Sequence, residues 1–432
     1  PQALQSGYSA AQLGEAGRVL AVSTHLVTRA VMHGQSERES RELIAEAVLP
    51  VTTPATSGQF YVDTRSGRDT AVSLVNGSDR AVGVRLELET LNGERLTETR
   101  RIASHGQLSE RVSALFGEQD LQGVLRVEAD EALSMNGLLE IPNGQGHVLL
   151  APAPFVSGEA PLSGLAAQRR VLPVVTTGAG QHVDTVLLNP SDETVSGELE
   201  ITGHSPVAYE IEADGIFVHE IPSDGQPLLT GHGIVRASEG VAPSAYAVVT
   251  SSRRDSSVRS VHTVTSHQEG TLFWGPVDTY PDVLHHGDID AELSIANEGL
   301  VHATLYLELF DIDGQSAAKY ERTVPLGERA MLSLEEVFGH SPLRGTLRVF
   351  SDTAVSVSLQ ETTVTIDDEM VVADVPLQVT PEEAVSELVF PVFANGQGQA
   401  TELILINTDR RDYDGSLAVM SSRGEAQAMI LR

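Results

Sequence analysis

The chain has 432 residues, and 60 Asp and Glu against 28 Lys and Arg give a formal net charge of −32 at pH 7. It is 41% hydrophobic but only 4% aromatic, which suits several small cores rather than one large core. The charge argues against binding to nucleic acid, and the lack of cysteine excludes disulfide frameworks and thiolate metal sites. No apolar run approaches 18 residues, so we expect no membrane insertion.

The first strand-like element is GRVLAVSTHLVTRAVM, residues 17–32. It resembles the strand that opens with GVLRV at Gly123, about one repeat further along the chain. The polar stretch 33–42, HGQSERESRE, is also compatible with a short helix. The next segment, LIAEAVLPVTT from Leu43, resembles LAAQRRVLPVVTT from Leu165.

An asparagine that ends an apolar strand recurs about every 110 residues. After each asparagine comes a polar turn, and then apolar residues alternate with polar ones, which predicts a half-buried strand. Glycine-containing turns such as Asn92-Gly93 and Asp313-Gly314 then predict a hairpin. The four anchors are Asn76, Asn189, Asn297 and Asn407.

A second motif recurs near the end of each of the three inner repeats, at a similar distance from the anchor asparagine. The G-x-x-R strands beginning at Gly123, Gly233 and Gly345 lie about 45 residues after their asparagines. Only 113–117 and 333–339 have the pattern of a short helical turn. Short strands at steady spacing predict an all-β tandem array of antiparallel Ig-like β-sandwich domains.

The two ends of the chain match complementary parts of one repeat. We predict a closing half-domain at 1–47, complete sandwiches at 48–171, 172–272 and 273–386, and an opening half-domain at 387–432. A half sandwich exposes unpaired strand edges and an apolar face. The predicted assembly residues lie on these end strands: Val19, Ala21, His25, Leu403, Leu405, Leu417 and Val419.

Two hypotheses follow from the complementary ends. In one, the C-terminal half of each molecule pairs with the N-terminal half of the next, giving a head-to-tail homopolymer. In the other, the chain is a window cut from a longer array. Both predict a non-enzymatic structural subunit of an extracellular filament or cell-surface stalk, and the alternative function is an adhesin that binds ligands through repeat loops.

The motifs LLNPSDETVSGELEI, FDIDGQ and GTLRVFSD resemble the tandem immunoglobulin-like or fibronectin-III-like repeats of bacterial surface and secreted proteins. The resemblance covers nearly the whole chain. It implies an extracellular, structural or adhesive role, and it carries over no catalytic residues.

Recurring charged residues have a structural interpretation. Arg126, Arg236 and Arg348 sit on equivalent strands and are expected to pair with Glu87, Glu200 and Glu308 as cross-strand ion pairs, rather than to form a ligand stripe. We found no Ser-hydrolase, zinc-protease or P-loop motif, so we predict no enzyme.

The sequence contains only weak patterns for metal binding or sugar binding. Asp311 and Asp313 begin like a calcium loop, but position 12 of such a loop falls on Arg322, so a hairpin is favoured. The cluster of His285, His286, Asp288 and Asp290 has metal-ligand residue types, but adjacent strand residues point to opposite faces. We predict no cofactor, with interdomain calcium left open, and we expect Trp274 to pack between domains rather than stack on a sugar.

Overall fold

The computed structural model describes residues 5–32, 39–118, 120–158, 168–223, 225–266, 269–280, 287–339, 342–365, 370–379, 384–409 and 411–426. The described chain is almost entirely β, and all of its strand pairs are antiparallel. This confirms the predicted fold class. Its two α-helices are single turns, α1 at Val112–Phe116 and α2 at Leu334–Phe338, at both predicted places, and each is followed by a left-handed glycine, Gly117 or Gly339.

The N-terminal and C-terminal strands together form one unit, which we call the closing unit. One sheet has the order β28-β1-β30 and the other has the order β29-β2-β3. Both sheets therefore combine strands from the two ends of the chain, and in each sheet at least one N-terminal strand pairs with a C-terminal strand. The bounds are β1 Gln5–Gly17, β2 Val19–Met32, β3 Glu39–Pro50, β28 Val385–Asn395, β29 Gln399–Asn407 and β30 Gly415–Ser421.

Unit 1 is a sandwich whose two sheets share one long strand, β9. The sheets have the orders β11-β4-β9-β6-β7 and β8-β5-β9-β10. The bounds are β4 Ala55–Asp63, β5 Asp69–Val75, β6 Val82–Thr90, β7 Arg95–Ile102, β8 Gln107–Arg111, β9 Gln122–Pro142, β10 Val148–Ala153 and β11 Val156–Ser157.

Unit 2 has the same neighbour relations in two separate four-stranded sheets. Their orders are β12-β17-β14-β15 and β16-β13-β18-β19, so β17 and β18 take the place of the long strand. The bounds are β12 Arg169–Thr177, β13 Gln181–Leu188, β14 Val195–Ile201, β15 Val207–Ile211, β16 Ile216–Ile221, β17 Leu229–Ala237, β18 Ser244–Ser252 and β19 Val258–Thr265.

Unit 3 again shares a long strand, β25, between the sheets β27-β20-β25-β22-β23 and β24-β21-β25-β26. Its bounds are β20 Gly270–Asp278, β21 Gly287–Asn297, β22 Ala303–Phe310, β23 Ser316–Val324, β24 Glu328–Ser333, β25 Arg344–Thr365, β26 Met370–Val375 and β27 Gln378–Val379. The boundaries predicted from the sequence each fall inside a strand, close to one end of β3, β12, β20 or β28.

The four units form a closed ring around four edge strands, which we call the hub strands: β3, β10, β19 and β26. Each hub strand pairs with one strand of its own unit. Going around the ring, β3 contacts β10, β10 contacts β19, β19 contacts β26, and β26 contacts β3. An apolar cluster that includes Tyr61, Leu139 and Tyr246 joins units 1 and 2 beside this hub.

The anchor asparagines hold the chain reversals predicted from their spacing. The Asn189 side-chain amide donates to the carbonyls of Glu193 at 2.8 Å and Glu212 at 2.9 Å, while its Oδ1 accepts from the backbone N–H of Ser191 at 3.2 Å. Asn76 and Asn297 make the same pattern of bonds, and all three are buried. Each side chain satisfies backbone groups that the turn leaves unpaired.

The predicted equivalence between the strand after Gly17 and the strand after Gly123 is wrong by one strand. β1 pairs with β28 and β30 as β17 pairs with β12 and β14, so β1 takes the place of the G-x-x-R strand and β2 takes that of its successor. The equivalent of Gly123 is therefore Gly7, not Gly17. A Cβ would lie 1.9 Å from the Met420 carbonyl oxygen at Gly7 and 2.1 Å from that of Glu89 at Gly123. Only glycine allows this close approach.

Replacing an anchor asparagine tests this account of the turns. We expect Asn189→Ala to lower the free energy of unfolding by roughly 2–4 kcal/mol, because buried carbonyls lose their donor. Asn407 is exposed. Its side-chain amide donates a hydrogen bond to the Arg411 carbonyl, which is the fourth copy of the pattern. The matched change Asn407→Ala should cost less than about 1 kcal/mol. Urea unfolding measures the loss of unfolding free energy in both variants. Equal losses would contradict the conclusion that the buried asparagine holds the turn in place.

Candidate functional site

The predicted assembly residues lie together in the closing unit, where they join the two ends of one chain. Ala21 on β2 lies directly opposite Leu405 on β29, Ser23 lies opposite Leu403, and Val19 lies opposite Asn407. Leu417 and Val419 lie on β30 and pair with Ala11 and Ser9 of β1 rather than with β2. The sequence therefore predicted that these strands belong to one sandwich, but not which strand lies beside which.

Strand exchange between molecules was expected because the end strands were predicted to lack partners, and the observed pairing shows that they have partners within their own chain. The N-terminal and C-terminal halves were predicted to lack partners within their own chain, but the edges of β1 and β2 are filled by that chain's strands. Val19, Ala21, His25 and Val419 are buried as a result. The apolar faces that were expected to require a second molecule are covered in the single chain by a small core that includes Val19, Ala21 and Phe390.

One edge of the closing unit differs from its counterparts. In units 1, 2 and 3 the strands β5, β13 and β21 each have a further neighbour, β8, β16 or β24. Among the described residues, β29 pairs with β2 alone. Leu405 of β29 is 46% exposed, which reflects this thinner packing. Among the described strands β30 likewise pairs with β1 alone, whereas β6, β14 and β22 each have a further neighbour, and Leu417 of β30 is 42% exposed.

His25 bridges the two chain ends inside the closing unit. Its Nδ1 lies 3.0 Å from the Thr401 hydroxyl of β29, and its Nε2 lies 3.2 Å from the Ser23 hydroxyl. Burial lowers the pKa of His25 to about 4, because the charged imidazolium loses its hydration. The folded chain therefore keeps His25 neutral at pH values where an unfolded histidine already binds a proton.

We expect acid to weaken the closing unit through His25. Between pH 6.5 and about 4 the unfolded chain binds the proton more readily, so the folded state loses stability as pH falls, by about 3 kcal/mol at most. His25→Leu should remove this part of the pH dependence, as measured by hydrogen exchange of the β2 and β29 amides.

His262 supplies a matched control. Burial also lowers its pKa to about 4, but it lies on β19 of unit 2. His262→Leu should change the pH dependence of amide exchange in β18 and β19 and leave that of β2 and β29 as in the parent. Equal acid sensitivity of β2 and β29 in the parent and His25→Leu would contradict the prediction.

A cavity of about 440 Å³ lies where the hub strands end. All four units contribute to its wall, so it exists only when the ring is closed. The wall is mainly apolar, and no Arg, Lys or His is among the described residues that line it. These residues are 48–50, 52, 136, 152–157, 244–246, 263, 265, 266, 374 and 376–379.

Polar bonds between units fix the position of the cavity wall. The Thr263 hydroxyl of β19 donates to the Pro152 carbonyl of β10 at 2.8 Å. The Asn136 amide donates to the Pro50 carbonyl at 3.3 Å. Toward the other ends of the hub strands the free space shrinks to about 10 Å³, which is about the volume needed for one water.

Asp374 is the only carboxyl group among the described residues of the cavity wall. It is 6% exposed, its Oδ1 accepts a hydrogen bond from the Ser358 hydroxyl at 2.6 Å, and the Thr265 backbone N–H also donates to it. Burial raises the pKa of Asp374 to about 7, against the opposing effect of these two donors. Both of its named donors are neutral groups.

A second buried carboxyl lies where unit 3 meets the closing unit. Glu361 of β25 accepts a hydrogen bond from the Asp278 backbone N–H at 3.1 Å. Burial, together with the neighbouring charges of Glu46, Asp278 and Glu402, raises its pKa well above the ordinary value. These surroundings favour the neutral form of the carboxyl.

The recurring arginines form the ion pairs predicted for them. Arg126 contacts Glu87 at 3.1 Å, and Arg236 contacts Glu200 at 2.6 Å. Arg348 pairs with Glu308 and also lies over the rings of Trp274 and Phe310, which stack 5.8 Å apart. The shared arginine–glutamate geometry supports a structural role for all three residues.

The weak metal signals gain no support from the geometry. The backbone N–H groups of Asp313 and Gln315 donate to the Asp311 carboxylate, as expected for a hairpin turn. Asp288 and Asp290 lie on β21, while His285 and His286 lie outside the described residues. Within the described ranges no group of three His, Asp or Glu residues is arranged to hold a metal ion.

Comparisons with known proteins give no family. No family model and no curated protein matches the chain. Solved structures of infectious bursal disease virus align at 10% identity. A structure described as "Crystal structure of the T13 IBDV viral particle" covers 94% of this chain and 78% of its own, with a TM-score of 0.14. One of the Gx strain covers 94% and 81%, with a TM-score of 0.13.

The described helices are far too short to cross a membrane. Sequence reasoning missed the axial cavity and Asp374 altogether. A signal was present in the prolines that follow apolar hub strands, Pro50, Pro154 and Pro376. Their shared position would have pointed to equivalent strand ends, but not to the fact that those ends meet.

Proposed function

We propose that the protein is a non-enzymatic, extracellular ligand-binding module built from four copies of one β-sandwich repeat, with the axial cavity as its binding site. The observation that carries the proposal is the cavity of about 440 Å³, which lies within the size range of small-molecule sites. An apolar wall with few polar groups is the usual composition of such sites.

Ring closure makes the cavity suitable for binding without a large rearrangement. Its wall combines residues distant in sequence, such as Leu49, Phe155, Tyr246 and Leu377. Leu49 and Tyr246 lie on β3 and β18, while Phe155 and Leu377 lie in two-residue links between paired strands. The strand pairing already positions these segments, so a ligand would not need to order them. The extracellular location is supported by the resemblance to bacterial surface and secreted repeats, and the cysteine-free composition is compatible with either a reduced or an extracellular compartment.

A neutral apolar dye tests this function. We expect Nile red to bind saturably with one site per chain and to gain fluorescence in the cavity. Ser244 is half-buried on the wall, so Ser244→Trp should fill part of the space and weaken binding by at least about tenfold. Fluorescence titration measures both affinities.

The control places the same side chain away from the cavity. Ser223 is exposed in the loop after β16, and Ser223→Trp should bind the dye like the parent. Thermal melts of both variants establish that each is folded. Absence of saturable binding to the parent, or equal binding by Ser244→Trp, would remove the cavity as a site.

A second candidate function is structural: assembly of copies into an extracellular filament through the closing unit. The closing unit is the one unit built from both ends of the chain, and β29 pairs with β2 alone among the described residues. If two copies exchanged their C-terminal strands, the contacts between the N-terminal and C-terminal strands of the closing unit would be remade between molecules, as in domain swapping. Repeated head-to-tail exchange would give the predicted homopolymer.

An engineered disulfide distinguishes a closed ring from exchange. The chain has no cysteine, and Ala21 and Leu405 lie opposite each other at a spacing that disulfides tolerate. In oxidised Ala21→Cys/Leu405→Cys, exchange predicts a ladder of covalent oligomers that grows with protein concentration on non-reducing denaturing gels. A monomer band at every concentration would contradict assembly by exchange.

The matched control uses a continuous unit. Val186 and Val218 lie opposite each other on β13 and β16 of unit 2. Val186→Cys/Val218→Cys should give only monomers after oxidation, since both strands belong to one uninterrupted stretch of chain. A ladder in this control would indicate random oxidation between molecules.

A further inference from the structure

The axial cavity contains a carboxylate that receives no positive charge from the wall around it. Asp374 lies on β26 and faces a space lined by residues of all four units. The lining residues in the described chain include no Arg, Lys or His. A buried carboxylate without a counter-charge is costly, so such groups are usually paired or neutralised by a proton.

We propose that the axial cavity takes a monocationic amine with an apolar body, whose ammonium group pairs with the Asp374 carboxylate. This inference rests on the proposed binding function and names the class of ligand. The apolar body would lie against Phe155, Tyr246 and Leu377, and the ammonium would supply the missing charge. Mainly apolar surroundings strengthen this attraction relative to bulk water.

The neighbours of Asp374 fit this role. Ser358 on the neighbouring strand β25 and the Thr265 N–H on β19 hold the carboxylate in place. They are neutral, so they orient the group without cancelling its charge. Charged groups of both signs occur on the hub strands beside the small void, Glu46 on β3 and Arg259 on β19, and neither is among the described residues that line the cavity.

The pH dependence of binding follows from the surroundings of Asp374. Burial raises its pKa to about 7, so the carboxylate gains its charge as pH rises through 7. An aliphatic amine stays protonated well above that pH, in the way that lysine does. Amine affinity should therefore rise between pH 6 and 8, while that of a neutral analogue should stay constant.

Tryptamine and its neutral counterpart tryptophol form a matched pair of probes, since one carries an ammonium where the other carries a hydroxyl. We expect calorimetry at pH 8 to give at least about tenfold tighter binding of tryptamine. Asp374→Asn should abolish this preference. Asp352→Asn removes the same charge from an exposed position of unit 3 and should leave the preference intact.

The outcomes separate this inference from the function on which it rests. Equal binding of the two probes, or an unchanged preference in Asp374→Asn, would overturn the amine assignment. If Nile red binds and tryptamine does not, the cavity is a site for neutral apolar ligands and only this inference fails. If neither binds the parent protein, both proposals fail. A thermal melt of Asp374→Asn establishes that the variant is folded.

Discussion

Antiparallel pairing between β2 and β29 is the constraint on which the rest of the molecule depends. These strands come from opposite ends of the chain, and nine residue pairs in register join them. Without that pairing the closing unit has no core, β3 has no position in the hub, and the wall of the axial cavity lacks one of its four sides. Closing so long a loop costs conformational entropy, although that cost grows only slowly with loop length. The shared sheets and the small core around Phe390 offset it.

The repeats keep their shape through buried polar residues as much as through apolar packing. An asparagine that bridges both sides of a reversal fixes the spacing between consecutive strands, because its amide and carbonyl reach backbone groups on each side. Asn76, Asn189 and Asn297 do this while buried, and Asn407 makes the corresponding contact while exposed. The difference follows from the packing of the closing unit, where β30 has mostly exposed side chains while β6 and β22 have buried ones.

Much of the fold could be predicted because its signals are local. The alternation at Val82, Val84 and Leu86, the turn at Asn92-Gly93 and the anchor asparagines each act within a few residues. The predicted match between the N-terminal half and the repeat was wrong, because period-two alternation identifies a strand and its buried face but not the strand beside which it lies. Gly7 resembles Gly123 through one close backbone contact, and that contact leaves little trace in the surrounding residues. Asp374 was missed because its surroundings come from four distant segments.

Asp374 also shows why a ring can contain a charge that a single sandwich would exclude. In an isolated unit, the outward face of β26 would meet water, and a carboxylate there would have an ordinary environment. Ring closure places β3 and β19 against β26 and removes that water, so the same residue acquires a raised pKa without any change in its own unit. The cost of burying Asp374 is thus a property of the closed ring. A bound cation would lower that cost only while the ring is closed, and so ligand binding and closure would stabilise each other.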